Sequence, residues 1–149
     1  MATILVFDTD KENLRLNTLQ LMDAGYEVAV PSDVDFASRM VSREKGKPDM
    51  LLVDWELSAV SPIAGLVAAS LENGVPVLIK TQHDEGEWRR QAMESVRSYI
   101  ANPLPRPMEE LLEVKLSVGG TLKCENIAKD VSEFLAAHSF SSTRIEAES

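Results

Sequence analysis

Three aspartates and a threonine stand at or within a few residues of the ends of apolar runs in this 149-residue chain. Asp8 and Asp10 follow the first run, with Thr9 between them; Asp54 closes another, with Glu56 two residues on; Thr81 follows a third, after Lys80. Asn102-Pro103 follows a shorter run, just beyond Tyr99. Carboxylates gathered at one edge of a fold repel one another, and such a site attracts a hard divalent cation such as Mg²⁺. Other chemistries find no residues to carry them. No Ser/His/Asp or Cys/His constellation is present, and no zinc spacing. Cys124 is the single cysteine, so no intrachain disulfide forms. A nucleotide-binding protein or an enzyme built on a phosphate-cradling loop needs glycine after the first run, and DTDKEN has none. The chain is therefore not expected to be an enzyme.

The elements that must position these residues alternate along the chain. Five apolar runs read as strands: residues 3–7, 27–30, 50–53, 75–79 and 98–101. Most are near-continuous rather than alternating, as strands buried on both faces of a parallel sheet are. Between them lie helix-length segments. Residues 11–24 place Leu14, Leu16, Leu19, Leu21 and Met22 on or beside one face, with Gly25 as C-terminal cap. Ser32 or Asp33 caps a helix through about Lys45, and Asn73-Gly74 stops one over residues 62–71. Residues 85–96 and 107–116 supply two more. Five strand–helix alternations predict a doubly wound, five-stranded parallel α/β sheet of flavodoxin-like order 2-1-3-4-5, with helices on both faces. The binding crevice of such a sheet lies beyond the carboxyl ends of its strands. Asp8, Asp54 and Thr81 converge there.

Residues 1–117 form this unit. Val118-Gly119-Gly120 breaks the chain, and residues 118–149 are expected to be an extension with one amphipathic helix and a frayed tail. Its stripe of Leu122, Ile127, Val131, Phe134 and Leu135 covers its own domain or pairs with a second copy in a homodimer. A 44% hydrophobic, 26% charged composition is that of a folded protein. The net charge of −9 disfavours nucleic acid and anionic membrane as partners. No leader or spanning segment is apparent, which makes the cytoplasm the expected compartment.

The strand-end segments ILVFDTD, LLVDWE, VLIKT and YIANP resemble, as a set and in order over residues 3–117, those of response regulator receiver domains of two-component phosphorelay signalling. The resemblance implies that Asp54 accepts a phosphoryl group from a histidine kinase or phosphotransfer protein, and that output follows through protein contacts of a stand-alone domain. It implies Mg²⁺ held by Asp8, Asp54 and the backbone carbonyl of Glu56. Asp10 is a further candidate ligand, one position off and equally suited to capping a helix. Thr81 matches the hydroxyl that reorients toward the phosphate, and Tyr99 the aromatic that follows it, remodelling the face of the fourth helix, fifth strand and fifth helix. Two positions depart. Thr9 stands where the family has a second acid, which removes one negative charge from the metal site. Asn102 stands where it has a lysine before proline, and an amide donates without charge assistance. Lys80 is set aside as a substitute, because the pleat fixes its direction. The loop after Asp54 departs too. These losses make the alternative a pseudo-receiver, unphosphorylated and bound constitutively to partners. A flavodoxin-like small-molecule-binding protein is the remaining reading.

Overall fold

The apolar runs become parallel strands, and the first, third and fourth are buried along most of their length. A computed structural model describes residues 2–8, 10–55, 60–81, 86–116 and 127–148. Strand β1 (Thr3–Phe7) leads into helix α1 (Lys11–Asp23), then β2 (Glu27–Ala29), α2 (Val34–Val41), β3 (Met50–Asp54) and α3 (Val60–Glu72). There follow β4 (Val77–Thr81), α4 (Gly86–Tyr99), the single turn α5 (Met108–Leu111), β5 (Leu112–Leu116) and α6 (Ile127–Glu148). The sheet runs β2-β1-β3-β4-β5 with every pairing parallel, as expected of the doubly wound fold.

The core has two layers, one on each face. Helices α2, α3 and α4 cover one face, packing Ala37, Val41, Ile63, Leu66, Val67 and Val96 against Leu5, Leu51, Val53 and Ile79. On the other, α1 and α6 pack Leu21, Ile127, Val131 and Phe134 against Ile4, Val6, Met50, Leu52 and Leu78. Capping matches the local sequence. Asp10 and Asp33 accept hydrogen bonds from Asn13 N and Phe36 N and so close the first turns of α1 and α2. Gly25, at φ +98°, makes the left-handed exit from α1 that a side chain would resist.

The fifth strand is not where the apolar run at residues 98–101 places it. Ala92, Val96 and Ile100 repeat at a four-residue interval, so Ser98 and Tyr99 form the last turn of α4. A run of four residues does not by itself distinguish a helix end from a strand. The strand is LEVKL, inside the segment expected to be the fifth helix, of which one turn remains as α5. As an edge strand it alternates: Leu112 and Val114 pack on the α3–α4 layer, which leaves Glu113 and Lys115 to the opposite face.

One further expectation is revised. The sheetward stripe of α1 is Asn13, Asn17 and Leu21, while Leu19 and Met22 are exposed at 53% and 57%. Helix α6 takes the first of its two expected roles: Ile127, Val131 and Phe134 are at most 2% exposed and cover the sheet of their own domain, so those residues are not on offer to a second copy. Leu122 of the same stripe lies outside the described residues.

Candidate functional site

Parallel register brings the strand-end residues together. Phe7 is level with Val53, Asp54 with Lys80, and Lys80 with Lys115. Alternation along β3 and β4 turns Asp54 and Lys80 to the face of Leu52 and Leu78, the face covered by α1 and α6. The pleat, the ground for setting Lys80 aside, instead points it into the crevice that Asp54 occupies. Val6, Phe7, Asp8, Asn13, Asn17, Leu52, Asp54, Lys80 and Ile127 enclose a cavity of about 10 Å³, on the order of one water-sized sphere.

Asn13 ties the carboxylates to one another. Its Nδ2 donates to Asp54 Oδ2 at 2.8 Å and also to Asp8 Oδ2. The other oxygen of Asp8 accepts from the backbone N of Asp10 at 2.8 Å. Asp10 Oδ1 in turn accepts from Asn13 N at 3.1 Å, which caps α1. One turn along α1, Asn17 is 6% exposed, and its Oδ1 has no hydrogen-bond partner among the described residues. The polar stripe at 13 and 17 thus lies over the polar edge of the sheet, while Leu21 continues it over the apolar interior.

On the other side of the cavity, α6 supplies a counter-charge. Lys80 Nζ lies 2.5 Å from Asp130 Oδ2, with side chains 10% and 15% exposed. Lys115 Nζ lies 3.3 Å from Asp130 Oδ1 and 3.6 Å from Glu133. Burial alone would raise the Asp130 carboxyl, but hydrogen bonds and charge from both lysines outweigh it and hold it below the usual carboxylate range. Burial alone would lower the Lys115 ammonium, and its bond to Asp130 with the surrounding acids raises it instead.

Asp8, Asp54 and Thr81 sit at the carboxyl edge as expected, Thr81 at the end of β4 and 1% exposed. Thr9 and Glu56 lie outside the described residues, as do Cys124 and His83. Tyr99 and Asn102 are not at this edge. A 14-residue helix carries the chain from the end of β4 back across the sheet, about 21 Å, so both lie near the opposite edge. Tyr99 is 48% exposed, its ring beside Gly65 of α3. Asn102 N donates to Glu72 Oε2 at 3.0 Å and Ala101 N to the same oxygen at 2.5 Å. Burial would raise that carboxyl; the two amides outweigh it and lower it. The comparison of Asn102 with a lysine at the fifth strand therefore fails. With β5 at Leu112–Leu116, the lysine near its end is Lys115. Trp55 is fully buried in the α3–α4 layer, and His138 stacks on Phe134 with centroids 4.0 Å apart.

Asn13, Asn17, Lys80, Lys115 and Asp130 were not read as site residues from the sequence. The signals were the four-residue spacing of 13, 17 and 21, and the place of Asp54 and Lys80 directly after the apolar runs 50–53 and 75–79.

No protein-family profile matches the chain, and no curated protein matches it. Solved structures do. The receiver domain of the Francisella response regulator 1452 superposes with a TM-score of 0.58 at 15% identity, over 90% of this chain and 96% of that one. The receiver domain of the sensor histidine kinase PA1611 from Pseudomonas aeruginosa, solved with a magnesium ion in its active-site cleft, gives 0.59 at 15% identity over 91% and 98%. A de novo designed Rossmann 2x3 protein gives 0.60 at 19% identity over 91% and 90%, so likeness at this level speaks to architecture and not to chemistry. In strand order, helix placement and extent, the chain has the receiver-domain fold.

Proposed function

We propose that this receiver-like domain accepts a phosphoryl group on Asp54 from the phosphohistidine of a kinase or phosphotransfer protein, and signals through protein contacts. The supporting observation is the shared donor: Asp8 and Asp54 lie close enough for one amide nitrogen to reach both, with Lys80 lining the same cavity. In the transfer an Asp54 oxygen attacks phosphorus. The P–N bond breaks as the P–O bond of an acyl phosphate forms, and the leaving imidazole keeps the electron pair and takes up a proton. Lys80, in register with Asp54, offsets the charge of the incoming phosphoryl oxygens, and Lys115 stands one strand further.

Two carboxylate oxygens converging on one point suit a hard cation, and Asp8 and Asp54 would hold Mg²⁺; the Pseudomonas receiver carries a magnesium ion in its active-site cleft. When bound, Mg²⁺ supplies positive charge against the transferring phosphoryl group. The pseudo-receiver is the second reading, supported by Asn13, which already neutralises part of the carboxylate repulsion without a cation. Intact mass after incubation with Mg²⁺ and a small-molecule phosphodonor separates the two. Addition of one phosphoryl group to the parent and none to Asp54→Asn is the expected result. No addition to either, with the protein folded, moves the reading to constitutive partner binding.

A further inference from the structure

We infer that Asn13 is a built-in competitor of the divalent cation: its amide holds the Asp8–Asp54 pair in the place a cation takes, and so sets the cation affinity of the site. The inference rests on the reading of that pair as a cation site, but not on phosphoryl transfer. Three observations carry it.

Asn13 Nδ2 donates to one oxygen of each carboxylate, 2.8 Å in the case of Asp54. A cation joining those two oxygens would sit between them, as the amide nitrogen does. An N–H donor cannot ligate a metal, so occupancy by one requires the other to leave. Asn13 is 4% exposed and cannot swing freely into water. Asn17 Oδ1, buried in the same cavity and without a hydrogen-bond partner among the described residues, is a neutral oxygen suited to a cation or to a water on it. Asn13 is thus a positioning residue. It keeps two like charges together, and any cation must first displace two charge-assisted hydrogen bonds.

The test uses the full chain and Mn²⁺ as probe, with free Mn²⁺ read by electron paramagnetic resonance. Asn13→Ala removes the competing donor and should bind Mn²⁺ at least about tenfold more tightly than the parent, given the strength of hydrogen bonds to charged groups. Asn13→Ser, whose shorter hydroxyl cannot span both carboxylates, should behave likewise and serves if the alanine variant does not fold. Thermal melts add a second readout: the variants should melt below the parent without Mg²⁺ and gain more than the parent when it is added. Equal or weaker Mn²⁺ binding in a folded variant overturns the inference, as does an equal Mg²⁺ gain. Tighter Mn²⁺ binding with no phosphoryl uptake sustains the inference and sinks the transfer reading. Phosphoryl uptake with unchanged Mn²⁺ affinity does the reverse.

Discussion

Asp130→Ala removes the carboxylate that two lysines share, and its cost can be worked from the geometry. Lys80 and Asp130 are 10% and 15% exposed and 2.5 Å apart, so the alanine leaves an ammonium largely shielded from water. Breaking a fully buried pair by removing one partner costs about 3–5 kcal/mol. Here the residual exposure lowers that figure, as does the position of Lys80 in the cavity with Asp8 and Asp54. We expect about 2–3 kcal/mol, or a fall in Tm of roughly 5–10 °C for a chain of this size. Lys80→Met on top of Asp130→Ala removes the orphaned charge and should recover at least half of the loss. Urea and thermal unfolding of the parent, the single and the double variants measure this. The pH dependence has a defined sign. Because the folded-state pKa of Asp130 is depressed, its contribution is present above the unfolded carboxylate value and is lost as pH falls through the folded one. The gap between parent and Asp130→Ala should therefore close in acid. A single variant within about 0.5 kcal/mol of the parent at neutral pH, or a double no more stable than the single, would refute the idea that this carboxylate holds α6 to the sheet.

Phe134→Ala should cost about 3–4 kcal/mol in urea melts, because the ring is 2% exposed and packed in the layer between α6 and the sheet. A destabilisation under about 1 kcal/mol would mean that α6 is dispensable. Tyr99→Ala should leave phosphodonor labelling of Asp54 unchanged, since the ring packs beside Gly65 of α3 and does not line the cavity of Asp8 and Asp54; loss of labelling in a folded variant would restore a switch role for it.

Strands β1, β3 and β4 were readable from the sequence because near-continuous apolar runs suit strands buried on both faces of a parallel sheet, and polar residues stand at or just beyond the end of each: Asp8, Asp54 and Thr81. With them came the positions of Asp8, Asp54 and Thr81. The fifth strand was not readable by the same rule. LEVKL is an edge strand with one face turned from the α3–α4 layer, so it alternates, and the preceding turn of α5 makes it resemble the continuation of a helix. That single displacement carried Tyr99 and Asn102 into the expected site and kept Lys115 out of it. Asn13 and Asn17 were hidden for a different reason. An apolar-stripe search on α1 favours its leucines, whereas the part of a helix over a sheet edge answers to the carboxylates there. Lys80 needed the register with β3, which no single segment encodes.

The placement of α6 has a consequence for how the molecule assembles. Its residues close the layer begun by Ile4 and Val6, and Asp130 meets Lys80 across 50 positions of sequence. Contacts of such separation are costly in chain entropy and form late. On a ribosome the β1–β3–β4 strands are synthesised long before α6, leaving the part of this face that α1 does not cover, and the ammonium of Lys80, to water in the meantime. Burial of this face and charge balance at the cavity are thus completed in one late docking event. A nascent chain halted before residue 127 would carry the acids and lysines of the crevice without the helix that arranges them.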